Sequence, residues 1–385
     1  MNFHSGDRDV KHKLIVIEDK INRLLERFNA FAAHFGEWKI SICIAVSAWL
    51  LSIIFYPPAD IDFNNHYCFN THTRLNDFLK LSADPFDRGL NEPIVAYRII
   101  TPLFAWLFGL KDFWAVSIQY IALVLAIMFI YKAVARRTDN AVALLACFVL
   151  SLTYLTHWTN QYPGFPDSVT HLASIITMLT PSFWLAWVGS AVGLLNDERF
   201  ILAVPFILLW HLNIRHESAK LKEVVKPLFG FLVGIACVLI IRHMLAAGII
   251  GPGIERPDEY HSILRRLLAF DPALPSWPRF LIGIFWGFKF AWIIVFLSVY
   301  KGWPKYPRWI MSIFGLFLFS ASMSTMLVWD VSRSVAFFFP SIILAVQLLY
   351  QISVEETKRV MIVSLCLCLL SGPDYATWIG LFQKI

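Results

Sequence analysis

Eleven apolar runs follow one another along this chain, at 40–57, 113–134, 141–158, 168–180, 182–195, 200–213, 227–248, 280–300, 309–329, 334–352 and 359–371. A chain of 385 residues that is 58% hydrophobic and 16% charged has more apolar surface than a soluble core can bury. Soluble domains sit at ~45–50% apolar and ~25% charged. The sequence therefore reads as an all-α polytopic membrane bundle of about 10–12 transmembrane helices. Several runs fall short of the ~20 residues a straight span needs, which short helices tolerate where they line a water-filled cavity. The same balance excludes a disordered chain, a nucleic-acid partner and a soluble two-domain enzyme. The net charge of +6 reports the loops of a membrane protein.

Two domains are expected, an N-terminal helix over 1–39 and a transmembrane domain over 40–385. In the first, Val10, Leu14, Ile17, Ile21, Leu24, Phe28, Phe31 and Phe35 recur at alternating spacings of four and three, an a/d seam. Such a seam either pairs two copies of the chain or lies on the membrane as an amphipathic helix. Three phenylalanines near the first span favour the membrane, and seven Lys/Arg place the helix in the cytoplasm.

Charge asymmetry sets the register. If all eleven runs cross and 94–110 is re-entrant or interfacial, the turns 132–137, 214–226, 301–308 and 355–359 are cytoplasmic. They carry Lys132, Arg136, Arg137, Arg215, Lys220, Lys222, Lys226, Lys301, Lys305, Arg308, Lys358 and Arg359. The short turns opposite, 159–167, 196–199 and 330–333, carry only Arg199 and Arg333. A rival register makes 94–110 a span, fuses 168–195 into one helix broken at Pro181, and turns Arg136 and Arg137 outward. In the preferred register the larger extracytoplasmic loops are 58–93 and 249–279.

Every unusual polar cluster then faces the extracytoplasmic side. Asp60 and Asp62 follow the first span, Asp167 lies in G-F-P-D-S, and Asp197, Glu198 and Arg199 form N-D-E-R. Asp330 and Arg333 lie in W-D-V-S-R, and Arg98 sits in an otherwise uncharged apolar segment. Charges at a membrane boundary are costly and mark functional sites. Each also has a plainer reading. Asp60 and Asp62 can open a solvated loop, Asp167 can cap the helix that begins at Ser168, Asp330 and Arg333 can be an i,i+3 ion pair, and Arg98 can snorkel. Taken together, carboxylates can act as general bases on an acceptor hydroxyl. Arginines can fork onto the phosphate of a lipid-linked donor and stabilise the leaving group.

The acidic pair after the first span, the long first external loop, and the runs Y-R-I-I-T-P (Tyr97 to Pro102), N-D-E-R-F (Asn196 to Phe200) and W-D-V-S-R (Trp329 to Arg333) resemble the C-type (GT-C) membrane glycosyltransferases. The likeness is to bacterial members that use polyprenyl-phosphate sugars, and it covers roughly residues 40–352. It implies an inner-membrane enzyme moving a sugar from a polyprenyl-phosphate donor to an extracytoplasmic glycan or glycolipid acceptor. The family's first-loop acid would fall on Asp60 or Asp62, as base or as ligand of a divalent cation (Mg or Mn). Asp197 and Glu198 join them as catalytic candidates, with Arg98, Asp167, Arg199, Asp330 and Arg333 binding substrate. The second external acid pair is either Asp197/Glu198 or spread over Asp167 and Asp330. The expected partners are the donor, the acceptor, membrane lipids and a second copy through the N-terminal helix. The rival functions are a transporter or lipid-linked glycan flippase, and a non-catalytic membrane scaffold.

The remaining signals are weaker. Glu255, Asp258, Glu259 and His261 are ligand-type residues in one loop, as are His66 and His72 in another, though an exposed charged loop is the better reading of both. His157, His171 and His216–Glu217 read as interfacial or cytoplasmic polar residues. Fifteen tryptophans fit interfacial belts, with Trp277, Trp286, Trp303 and Trp329 available to stack on sugars. No P-loop, G-x-S-x-G, H-E-x-x-H or G-x-G-x-x-G occurs, so nucleotide triphosphate chemistry is not expected.

Overall fold

Backbone N–H and C=O groups surrounded by apolar side chains have no partners but each other, which makes each apolar run a helix. The computed structural model describes residues 4–57, 69–87, 89–90, 96–212, 221–251, 253, 277–325 and 330–371, without the side chains of 4–15, 17, 69–73 and 277–279. No strand occurs among them. In chain order the helices are α1 (His4–Phe35), α2 (Glu37–Phe55), α3 (Phe69–Ala83), α4 (Ile100–Leu107), α5 (Asp112–Ala135), α6 (Asn140–Ser151), α7 (Tyr154–Gln161), α8 (Asp167–Leu179) and α9 (Phe183–Asn196). They continue with α10 (Val204–His211), α11 (Lys222–Ala246), α12 (Trp277–Phe288), α13 (Trp292–Gly302), α14 (Arg308–Ser324), α15 (Val331–Ala336), α16 (Pro340–Ile352) and α17 (Val354–Leu370).

Among the described residues, four helical stretches are long and apolar enough to cross a membrane: α2, α5, α11 and Phe280–Gly302, which joins α12 to α13. The pair α6 and α7, bent by 50°, makes a fifth. Polar side chains stop and start the shorter ones. Asp139 accepts from Val142 N at 2.8 Å at the start of α6, Thr153 caps α7, and Ser353 caps α17.

Hydrogen bonds and ion pairs sort the helix ends into two polar layers. In one layer Lys132 meets Glu37 at 3.4 Å, Lys358 meets Asp139 at 3.2 Å, and Lys301 pairs with Glu356. Arg137 donates there to the Trp210 carbonyl (2.7 Å) and to Gln347 Oε1 (2.9 Å), gathering the ends of α5, α10 and α16. The far end of α8 belongs to the same region, since Trp210 Nε1 donates to the Met178 carbonyl at 2.8 Å. The opposite layer holds the starts of α8 and α15, the end of α9 and the residues before α4. Short helices therefore run from layer to layer.

This geometry overturns the rival register. Asn196, ending α9, donates to the Pro166 carbonyl and to Thr170 Oγ1, both at 2.8 Å, so α9 returns alongside α8 instead of extending it. Among the described residues 96–110 the α-helix is the eight-residue α4, with Thr101 bonded to Asn196 at 2.5 Å.

Two small-residue stripes bring helices into backbone contact. Gly230 and Gly234 on α11 lie against α9, where a Cβ on Gly230 would sit 2.8 Å from Ala186 Cβ and one on Gly234 2.9 Å from the Trp187 carbonyl. Gly283 and Gly287 on α12 lie against Val331 and Val335 of α15 in the same way. Both are G-x-x-x-G patterns, which allow close helix approach inside a membrane.

The expected a/d seam of α1 is divided. The helix lies against α6 and α2, where the seam residues Ile21 and Phe28 are partly buried beside the buried Leu25 and Ala32, while Leu24, Phe31 and Phe35 of the seam stay exposed. The side chains of Val10, Leu14 and Ile17 lie outside the described residues.

Candidate functional site

Seven of the nine sequence-singled residues come from four separate parts of the chain and meet in one ion-pair network. Arg333, on the first turn of α15, forks onto Asp167 at the start of α8, with Nε and Nη2 donating to the two carboxylate oxygens at 2.5 and 2.6 Å. Arg199 forks in the same way onto Asp197, at 2.8 and 2.6 Å. Asp197 also accepts from Arg199 N at 3.0 Å, which closes the 3₁₀ turn Glu198–Leu202 and explains why N-D-E-R turns there. Arg98 bridges Asp197 and Glu198, 3.1 Å from each. Arg333 reaches Asp330 at 3.6 Å and Asp197 at 3.6 Å.

The plainer readings fare differently. Asp167 is not a helix cap: α8 has Pro166 at its N-cap without a side-chain cap bond, and the Asp167 carboxylate is committed to Arg333. Arg98 does not snorkel, because its guanidinium is turned inward onto two acids. The i,i+3 pair of Asp330 with Arg333 is real but long, and secondary to the fork on Asp167. Asp60 and Asp62 lie outside the described residues, as do Glu255, Asp258, Glu259, His261 and His66. Among the described residues no three His, Cys, Asp or Glu side chains stand close enough to hold a metal ion.

Arg242 completes the network without having been singled out. It bonds the Leu194 carbonyl at 2.8 Å and approaches Glu198 at 3.5 Å. An arginine inside the apolar run L-I-I-R-H-M was itself the signal. Lys289 was missed likewise. It is fully buried at the break between α12 and α13, with φ of 49° and its Nζ 5.1 Å from the Tyr56 ring centroid. His157, expected at an interface, is buried beside it, stacked on Tyr56 at 4.5 Å.

Among the described ion pairs of the network, arginines and acids are equal in number. Arg98, Arg199, Arg242 and Arg333 face Asp167, Asp197, Glu198 and Asp330. Burial alone would push the Asp197 carboxyl up, but Arg199, Arg98 and Arg333 outweigh it and hold the group well below the usual carboxylate range. Burial also acts upward on Glu198, and Arg98 brings it below its ordinary value. Asp167 and Asp197 are saturated by guanidinium and buried, so they position arginines. Glu198 and Asp330, with side chains 41% and 36% exposed, are the acids turned toward the outside.

Aromatic rings pack against the cations. Arg333 lies 4.6 Å over Phe165 and 5.2 Å over Trp158, and Arg199 lies 4.5 Å over Phe337. A narrow cleft with room for about one water molecule opens beside the network, lined by Arg74, Arg98, Phe165, Asp167 and Asn196.

No family model, curated protein or solved structure matches this chain.

Proposed function

We propose that the chain is a membrane glycosyltransferase of GT-C type, moving a sugar from a polyprenyl-phosphate donor to an extracytoplasmic acceptor. What carries the reading is the convergence of Arg98, Asp167, Asp197, Glu198, Arg199, Asp330 and Arg333 into one network at one end of the bundle. In this reading all eleven apolar runs cross a bacterial inner membrane. The lysine-rich layer faces the cytoplasm by the positive-inside rule, and the acid–arginine layer faces outward. The donor's chain stays in lipid while its sugar reaches the network.

The chemistry follows from the side chains. Asp60 or Asp62 takes the proton from the acceptor hydroxyl as that oxygen bonds the sugar's anomeric carbon. The bond from that carbon to the phosphate oxygen breaks, and the charge left on the phosphate is met by the arginines. Asp167 and Asp197 hold Arg333, Arg199 and Arg98 in place, and Glu198 and Asp330 orient the acceptor.

One observation favours a second reading. A buried forked ion pair between separate helices, as Arg333 makes with Asp167, is also how a flippase gate would be latched, with opening requiring the fork to separate. Purified protein given radiolabelled polyprenyl-phosphate sugars and a glycolipid acceptor fraction distinguishes the two. Transfer by the wild type, lost in folded Asp60→Asn, Asp62→Asn or Glu198→Gln variants, supports the enzyme. Movement of labelled lipid across liposomes without transfer supports the gate, and the absence of both transfer and movement supports the scaffold.

A further inference from the structure

The division of the α1 seam leaves an apolar edge uncovered and raises the question of what covers it. Leu25 and Ala32 are 6% and 3% exposed against the body of the protein, whereas Leu24, Phe31 and Phe35 are 66%, 52% and 41% exposed. At about 100° per residue these three fall within roughly 40° of arc. The protein-facing edge lies on one side of that arc. On the other lie Lys20, Arg23 and Arg27, all exposed. The helix is held in this rotation by its inner face, where Asn29 Oδ1 accepts from Ala141 N at 2.8 Å and Glu18 pairs with Arg359.

The next helix identifies the surroundings. Trp38, Ile42, Val46, Leu50 and Ile54 are exposed at every fourth position of α2, one of the four helical stretches apolar enough to span. Only Gly36, with φ of 92°, separates α1 from α2, so the two apolar stripes are consecutive in the chain. A second copy of α1 fits poorly. Ile21 and Phe28 of the seam are already packed on its own chain, and an antiparallel pair docked on the remaining edge would bring the Lys20–Arg23–Arg27 flanks of both copies together.

We infer that α1 lies in the headgroup layer and recognises anionic phospholipid, with Leu24, Phe31 and Phe35 entering the acyl boundary and Lys20, Arg23 and Arg27 meeting lipid phosphates. This assignment is independent of the chemistry at the opposite layer.

Hydrogen–deuterium exchange on the full chain, one copy per nanodisc, tests it. Discs of phosphatidylcholine are compared with discs containing phosphatidylglycerol. Amides of residues 16–35 should exchange about tenfold more slowly in the anionic discs, with α5 unchanged. The triple variant Lys20→Gln, Arg23→Gln, Arg27→Gln should shrink that difference to less than about twofold. Equal exchange of wild type in both lipids overturns the inference, and so does protection that needs two copies per disc. Should the triple variant also lose protection in α5, the wild-type comparison between lipids still decides.

Discussion

The two polar layers are built from the same residue types but differently. In the lysine-rich layer the ion pairs are single contacts with at least one partner well exposed, as in Glu37 with Lys132 and Glu18 with Arg359, or both partly so, as in Glu356 with Lys301. In the opposite layer Asp167 and Asp197 are buried, each is gripped by a forked guanidinium, and the forks join helices up to 166 residues apart. The first layer joins neighbouring helix ends through contacts at partly exposed side chains. The second requires that α8, α9, α11 and α15 arrive together, so it reports the tertiary fold.

The largest effect should follow from breaking a fork on one side only. Arg333→Met leaves the Asp167 carboxylate buried without its forked partner, which is worth about 3–5 kcal/mol of lost stability. Removing both charges with Asp167→Leu and Arg333→Met should recover much of that loss, since buried pairs are often replaceable by apolar groups. Thermal unfolding in detergent would show it. If the single variant unfolds like wild type, the layers do not differ as described. If the double variant is stable and inactive in sugar transfer, the fork serves the site.

The helix contacts that deliver the fork come next. Gly234→Leu must displace the Trp187 carbonyl and Ser190, and should cost about 1–3 kcal/mol as an overpacked contact. Gly315→Ala provides the control, because nothing lies within 4 Å of a Cβ there; it should be neutral or stabilising by up to about 1 kcal/mol. Equal unfolding temperatures for the two would mean that α9 and α11 are free to separate.

The two layers also differ in how far they can be read from sequence. Counting Lys and Arg in turns anticipates the lysine layer, because membrane topology is a one-dimensional property. Charged residues inside apolar runs flag Arg98 and Arg333, and the same rule applied evenly flags Arg242 and Lys289. Which acid meets which arginine was not legible. Asp330 stands three residues from Arg333, yet Arg333 forks onto Asp167. That choice depends on α12 and α15 touching through Gly283 and Gly287, a distance that no local spacing encodes. The seam of α1 left open what its apolar face meets, and the fold answers for one edge only: Ile21 and Phe28 pack on the chain's own body while Leu24, Phe31 and Phe35 stay exposed.

Acid should act on the two layers unequally. Asp197 binds its proton less readily folded than unfolded, so its contribution is complete above the ordinary carboxylate range and is lost as pH falls through the depressed folded value. Glu198 contributes in the same direction. Stability of the wild type should therefore decline toward low pH more steeply than that of Asp197→Asn, measured as unfolding temperature against pH in one detergent. Parallel curves would place the acid-sensitive group elsewhere.

The smallest effect belongs to the lysine layer. Arg359→Gln breaks its pair with Glu18, but the arginine is 59% exposed and its charge is already met by water and salt. The loss should stay below about 1 kcal/mol and vanish at high ionic strength. A loss comparable to that of Arg333→Met would put the rotational setting of α1 on this one contact. A negligible one would leave that setting to Leu25, Ala32 and Asn29, whose inner-face contacts do not depend on charge. Since the apolar edge of α1 is set by those contacts, Arg359→Gln should leave Leu24, Phe31 and Phe35 on the uncovered side of the helix.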